Sequence, residues 1–177
     1  MADVSAIFGT LLALGIAFPG LLAAWWLLFP SAVERARLRL ERTPWSCFWL
    51  GGAAAVIVSL PVGVLLALPF GPAKFAGFVA IALTLAAASL GAAGLAARMG
   101  ERLTLRTEGR LSPAGAFLRS AVALELAAAF PGLGWFIVIP LAVVTSLGAT
   151  VFALLGWLPA GQVSAAPDTR TFSENRV

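Results

Sequence analysis

One acid lies within an apolar stretch of this 177-residue chain: Glu125, six residues after Arg119 and five before the breaker run Phe130-Pro131-Gly132. An ionised side chain in hydrocarbon is costly. Such an acid is therefore a functional candidate by default, as a proton carrier in a transport path or as a hydrogen-bonding group across a helix interface. The bland alternatives are a carboxyl that snorkels, stays protonated, or bonds to a hydroxyl such as that of Thr145 or Ser146. On a helix, Glu125 sits about 9 Å from the Pro131 turn at 1.5 Å per residue. Arg119 is not its partner, because a separation of six places the two side chains on different faces. Arg119 instead reaches back towards the head groups. Transport needs more polar lining than one acid and a few hydroxyls, so a transporter or channel component using Glu125 is the alternative reading.

Other chemistries are limited by missing residue types, since the chain has no His, no Tyr and one Cys. His-ligated haem or chlorophyll, His-containing zinc sites and Ser-His-Asp catalysis are closed to it alone. An intrachain disulfide is impossible. Cys47, between Trp45 and Trp49, reads as a small buried hydrophobe. No catalytic residue, cofactor or metal site is expected, and the chain reads as a non-enzyme.

The elements that would position Glu125 follow from composition. With 60% hydrophobic and 11% charged residues and a mean hydropathy of +0.97, the solvent of this chain is lipid. The apolar runs are continuous over about 20 residues rather than alternating, which selects helices over a barrel. The expected fold is an all-α polytopic transmembrane bundle of five apolar helices, at about 4–29, 45–70, 75–97, 113–130 and 135–157, in one domain spanning 1–158. The alternative is four spans plus one re-entrant or interfacial helix, because 113–130 is near the lower length limit for a crossing. The first stretch reads as a retained span, with Asp3 at its head and Trp25-Trp26 at its end instead of a cleavage site. Residues 159–177 form a polar tail that composition alone would call disordered, with Phe172 as a contact point for neighbours.

Arginine placement orients the bundle. Arg35, Arg37, Arg39 and Arg42 occupy the first polar loop and Arg98, Arg102, Arg106 and Arg110 another, whereas the intervening turn has only Lys74. Both arginine loops are expected on the cytoplasmic side of a bacterial inner membrane, with the N-terminus outside and the tail inside. The net charge of +4 then reflects topology and contact with anionic lipid head groups, not nucleic acid.

Small residues recur every fourth position. Gly51, Ala55, Ser59, Gly63 and Ala67 do so in the second stretch, and Ala76, Ala80, Thr84, Ala88, Ala92 and Ala96 in the third. Shorter series are Gly9, Ala13, Ala17 and Ala142, Ser146, Thr150. Helices in lipid associate through close backbone approach, so these series are expected either to pack the hairpin helices together or to receive a partner's helix.

The order of punctuation resembles a known module. Leu27-Leu28-Phe29-Pro30 precedes an Arg/Glu-rich amphipathic stretch and Pro44. Gly51-Gly52, a hairpin and a Gly-rich third helix follow, then Phe130-Pro131-Gly132-Leu133-Gly134-Trp135 and Leu147-Gly148-Ala149. The pattern, over roughly Leu11 to Gly156, is similar to a bacterial membrane module of unknown function found alone or at the C-terminus of bactofilin-like, polymer-forming proteins. The resemblance implies the helix layout and supplies no catalytic residues. Without the soluble polymerising β-domain it implies no cytoskeletal role.

The expected function is a non-catalytic accessory or structural subunit of a larger membrane complex, with energy-transducing photosynthetic or respiratory assemblies as the leading context. Its expected partners are other integral membrane subunits and anionic lipids. A membrane anchor that recruits a cytoplasmic protein to Arg35, Arg37, Arg39 and Arg42 is the third reading.

Overall fold

The computed structural model describes residues 2–108 and 110–156, with side chains from Gly15 onward. Among them every regular element is helical. The order is α1 (Ala2–Leu28), α2 (Pro30–Arg42), α3 (Pro44–Ala67), α4 (Gly71–Arg106), α5 (Pro113–Ala129) and α6 (Ile139–Leu154), with a π-helical turn at Gly134–Val138 before α6. The expected end of the fifth stretch at Trp157 and the polar tail with Phe172 lie outside the described residues, as do the surroundings of Gly9 and Ala13.

Prolines set most of the starts. Pro30, Pro44, Pro72 and Pro113 fall in the first turns of α2 to α5, where the missing N–H has no helical partner to lose, and Pro140 stands where the π-turn passes into α6. Ser112 caps α5, its Oγ accepting the Gly115 N–H at 3.1 Å. Pro19 and Pro61 lie inside α1 and α3, a placement transmembrane helices tolerate. The turn after α5 depends on glycine twice. Gly132 has φ +82°, and a Cβ on Gly134 would stand 2.5 Å from the Ala127 and Ala128 carbonyl oxygens.

Two stretches expected as loops are helical. The charged run from Glu34 to Arg42 is α2, and the third apolar helix continues nine residues past its expected end at 97, through Arg98 and Arg102 to Arg106. Arg, Glu and Leu are good helix formers. In α2 they alternate with Ala32, Val33, Ala36 and Leu40, all buried on one face, so charge here marks an amphipathic helix. The extension of α4 is held by packing at Gly100 and by the Thr104 hydroxyl, which donates to the Gly100 carbonyl at 3.0 Å.

Among the described residues three helices are long and apolar enough to cross a membrane: Pro44–Ala67, Gly71–Arg106 and the joined π-turn and α6, Gly134–Leu154. A fourth span is reached if Gly15–Leu28 and Pro30–Arg42, bent by 107° at Phe29, count as one broken unit. At 17 residues α5 rises about 25 Å, short of the roughly 30 Å hydrocarbon layer.

The upper half of α4 is the spine of the bundle. A Cβ on Gly91 would stand 2.0 Å from the Ser146 carbonyl oxygen of α6, one on Gly94 2.8 Å from Ala36 Cβ of α2, and one on Gly100 3.1 Å from Phe117 N of α5. Successive helices thus press against different sides of one glycine-bearing segment. The closest seam joins α3 and α6. There a Gly51 Cβ would stand 1.8 Å from the Val144 carbonyl oxygen, and a Gly148 Cβ 1.9 Å from that of Cys47. Alanine dominates the two buried clusters: Ala92, Ala93, Ala96 and Ala121 with Leu22, Val33, Phe117 and Leu124 in one, and Ala36, Ala149 and Ala153 with Leu40 and Cys47 in the other. Polar and aromatic contacts add direction to this packing. Thr150 Oγ1 donates to the Ala87 carbonyl at 2.7 Å and Trp25 Nε1 to Ser89 Oγ at 2.8 Å, while Trp26 stacks on Phe117 with centroids 5.0 Å apart.

Candidate functional site

The two arginine-bearing stretches, 56 residues apart between Arg42 and Arg98 in sequence, meet at one end of the bundle. Arg37 is the centre of the junction. Its Nε donates to Glu34 Oε2 at 2.9 Å, its Nη2 to the other Glu34 oxygen, and its Nη1 to Glu101 Oε2 on α4, with Glu41 3.7 Å away. The Glu34 hydrogen bond raises the Arg37 pKa above its ordinary value. Partial burial opposes this, and the Glu34, Glu101 and Glu41 charges reinforce it. Arg98 of α4 ties the same helices, its Nη1 donating to the Leu40 carbonyl at 2.7 Å.

The remaining arginines of α2 differ in role. Arg39 lies over the Phe152 ring at 4.5 Å, joining α2 to α6. Arg35 is partly buried, with an Nε that has no hydrogen-bond partner. Arg42 is exposed. Of the four residues expected to meet head groups or a partner, Arg37 and Arg39 are therefore engaged within the chain.

Glu125 is partly buried and lines a cavity of about 300 Å³ between α1, α4, α5 and α6, together with Phe18, Ala88, Ser89, Ala142 and Ser146. Its Oε1 lies 3.7 Å from where a Cβ on Gly15 would stand, so α1 passes directly over the carboxyl. The expected bonds to Thr145 and Ser146 do not form. Thr145 Oγ1 turns onto its own helix, donating to the Leu141 carbonyl at 2.7 Å, which satisfies the hydroxyl locally. The Ser146 hydroxyl is buried with no partner. Ser89 Oγ accepts from Trp25 and donates to the Ala86 carbonyl at 2.8 Å. Arg119 is exposed. No polar chain leads to or from the acid among the described residues, and none of them gather into a group of three His, Cys, Asp or Glu.

The small-residue series separate by position. Gly51 is buried, Ala55 partly so, and Ser59, Gly63 and Ala67 are exposed. On α4, Ala80 and Thr84 are partly buried and Ala88 and Ala92 buried. The reason is geometric: a step of four residues overshoots the 3.6-residue turn by about 40°. Four steps from Gly51 to Ala67 carry the series about 160° around the helix, so it is not one face. For the same reason the closest approaches on α4, at Gly91, Gly94 and Gly100, fall off the spacing-of-four series, and the hairpin helices do not press those series together. The signal that locates them is glycine within an alanine-rich helix, which names a residue type without naming its partner. Gly148 on α6 was legible only as part of Leu147-Gly148-Ala149. Cys47, fully buried, is part of the α3–α6 seam.

No family model, curated protein or solved structure matches this chain. Its functional reading rests on its own geometry.

Proposed function

We propose that this chain is a non-catalytic structural subunit of a larger bacterial membrane assembly. The observation that carries this reading is the uneven use of α3. Its start is locked against α6 at Gly51, yet only 11% of its most apolar window is buried within the chain. Ser59, Gly63 and Ala67 lie open on the remainder. A Cβ on Gly63 would meet nothing within 4 Å, so a helix from outside can approach that backbone closely, the contact by which helices associate in lipid.

In the proposed topology α1, α3, α4, α5 and α6 each cross the bacterial inner membrane, the short α5 doing so where the bilayer thins around it, and α2 lies along the cytoplasmic surface. The N-terminus is outside and the chain after α6 inside. The 107° bend at Phe29 and the amphipathic face of α2 support that placement. Joining of the two arginine-bearing stretches at one end of the bundle supports a common side for them. The likeness to the membrane module of bactofilin-like proteins enters at this level only, as a proposed kinship of helix layout.

A photo-crosslinking side chain at Gly63, used in the native membrane, tests the subunit reading. Capture of one defined integral membrane protein is expected, with no such product from a crosslinker at Lys74, which lies in the first turn of α4 rather than in the turn expected from the sequence. Crosslinks to lipid alone at Gly63 would overturn it.

A further inference from the structure

A second cavity backs onto the one at Glu125, sharing Leu124, Val138 and Ala142 with it. It is an open groove of about 590 Å³ on the outer side of the α3–α6 seam, with Trp45 and Phe48 of α3, Leu95 of α4, and Ile137, Leu141 and Thr145 on its walls. Leu40 and Arg98 close one end. That end is the junction with α2, because Arg98 Nη1 holds the Leu40 carbonyl. An amphipathic helix at the end of the bundle marks head-group depth. Trp45 at the first turn of α3 belongs to the same level, where indole rings concentrate.

Charge and shape in the groove point to one kind of occupant. The Arg98 guanidinium has no carboxylate within ion-pair distance among the described residues, and Arg102 and Glu41 act on it electrostatically from nearby. Its Nη1 is used by Leu40 and its Nε is buried without a partner. Burying part of a guanidinium against an apolar wall is costly unless its remaining donors meet an anion. Below it the walls offer hydrocarbon and one hydroxyl, and that hydroxyl is bonded within α6. A cation at head-group depth above an apolar trough complements a molecule with an anionic head and a hydrocarbon chain. Basic pockets between membrane helices hold phospholipids in this way.

We propose that this groove is a binding site for an anionic phospholipid, its phosphate on Arg98 and one acyl chain along Trp45, Phe48 and Leu141. The site requires only the helix arrangement described above and is independent of the subunit role. It survives if the chain is found to have no protein partner.

The test is native mass spectrometry of the full chain in mild detergent, titrated with phosphatidylglycerol or phosphatidylcholine. Wild type is expected to retain phosphatidylglycerol about five-fold better than phosphatidylcholine, the preference that one basic residue near the surface supplies. Arg98→Gln is expected to abolish that preference. Leu141→Trp, at a residue that lines the groove, narrows it without touching Arg98 or its bond to Leu40, and is expected to reduce retention of both lipids. It keeps the test decisive if Arg98→Gln does not fold. Inorganic phosphate at millimolar excess is expected to leave the lipid in place. Equal retention of the two lipids by wild type, undiminished retention in Leu141→Trp, or displacement by inorganic phosphate would each overturn the proposal.

Discussion

Replacing Gly51 by alanine examines the closest helix contact in the molecule. The added Cβ would stand 1.8 Å from the Val144 carbonyl oxygen and 2.8 Å from Gly148 N. These are backbone atoms that cannot rotate away. Ordinary contact begins near 3.4 Å, so α3 and α6 would have to part by about 1.6 Å. A radial gap of about 0.5–1 Å already forfeits a quarter to a half of the dispersion well, and Cys47, Ala149 and Ala153 share this seam. Overpacking of this kind costs about 1–3 kcal/mol, while alanine's better helix propensity returns about 1 kcal/mol. A parting of about 1.6 Å puts the overpacking cost at the top of that range, so the expected net loss is about 2 kcal/mol. Gly63→Ala, on the same helix with nothing within 4 Å of the new Cβ, gains the propensity without the clash. It should be neutral or more stable by up to about 1 kcal/mol. Reversible unfolding in mixed micelles, followed by tryptophan fluorescence, measures both. Equal stabilities for the two variants would refute the reasoning, because helix propensity alone cannot distinguish the positions.

Four further substitutions address the polar side chains. Thr150→Val removes the α6–α4 bond to the Ala87 carbonyl and is expected to cost about 0.6–1.7 kcal/mol in the same unfolding assay, whereas Ser146→Ala removes a buried hydroxyl without a partner and is expected to be neutral or stabilising. Glu101→Gln weakens the Arg37 junction between α2 and α4 by no more than about 1 kcal/mol, since Glu101 is half exposed. That loss should shrink as salt is raised, and a salt-independent loss would place its origin elsewhere. Glu125→Gln is expected to leave folding and assembly intact and to abolish no proton-coupled flux in reconstituted vesicles, and a flux that vanishes with the substitution would restore the transport reading.

The apolar helices were legible in the sequence because their signal is local: long runs such as Trp45 to Leu68, bounded by proline and glycine, read as helix whatever they pack against. The charged stretches were not. Glu34 to Arg42 and Arg98 to Arg106 look like loops by polarity, and their helical state depends on which of their faces meets the bundle. That is fixed by Ala36 against Gly94 and by Phe117 against Gly100, contacts between different helices, 58 and 17 residues apart in sequence. The Arg37–Glu101 and Arg98–Leu40 pairs are hidden for the same reason, since each joins residues from different helices. Spacing misled on the small residues, where a repeat of four looked like a face and winds around the helix instead. Glu125 was singled out by being the one immersed acid. Its lack of a hydroxyl partner could only come from seeing Thr145 satisfied within its own turn.

Native mass spectrometry of the chain, released from its own membrane in gentle detergent without overexpression, tests the structural-subunit account most directly. The account predicts that it comes out bound to at least one other integral membrane protein in fixed stoichiometry. A population consisting solely of single chains carrying lipid would contradict it.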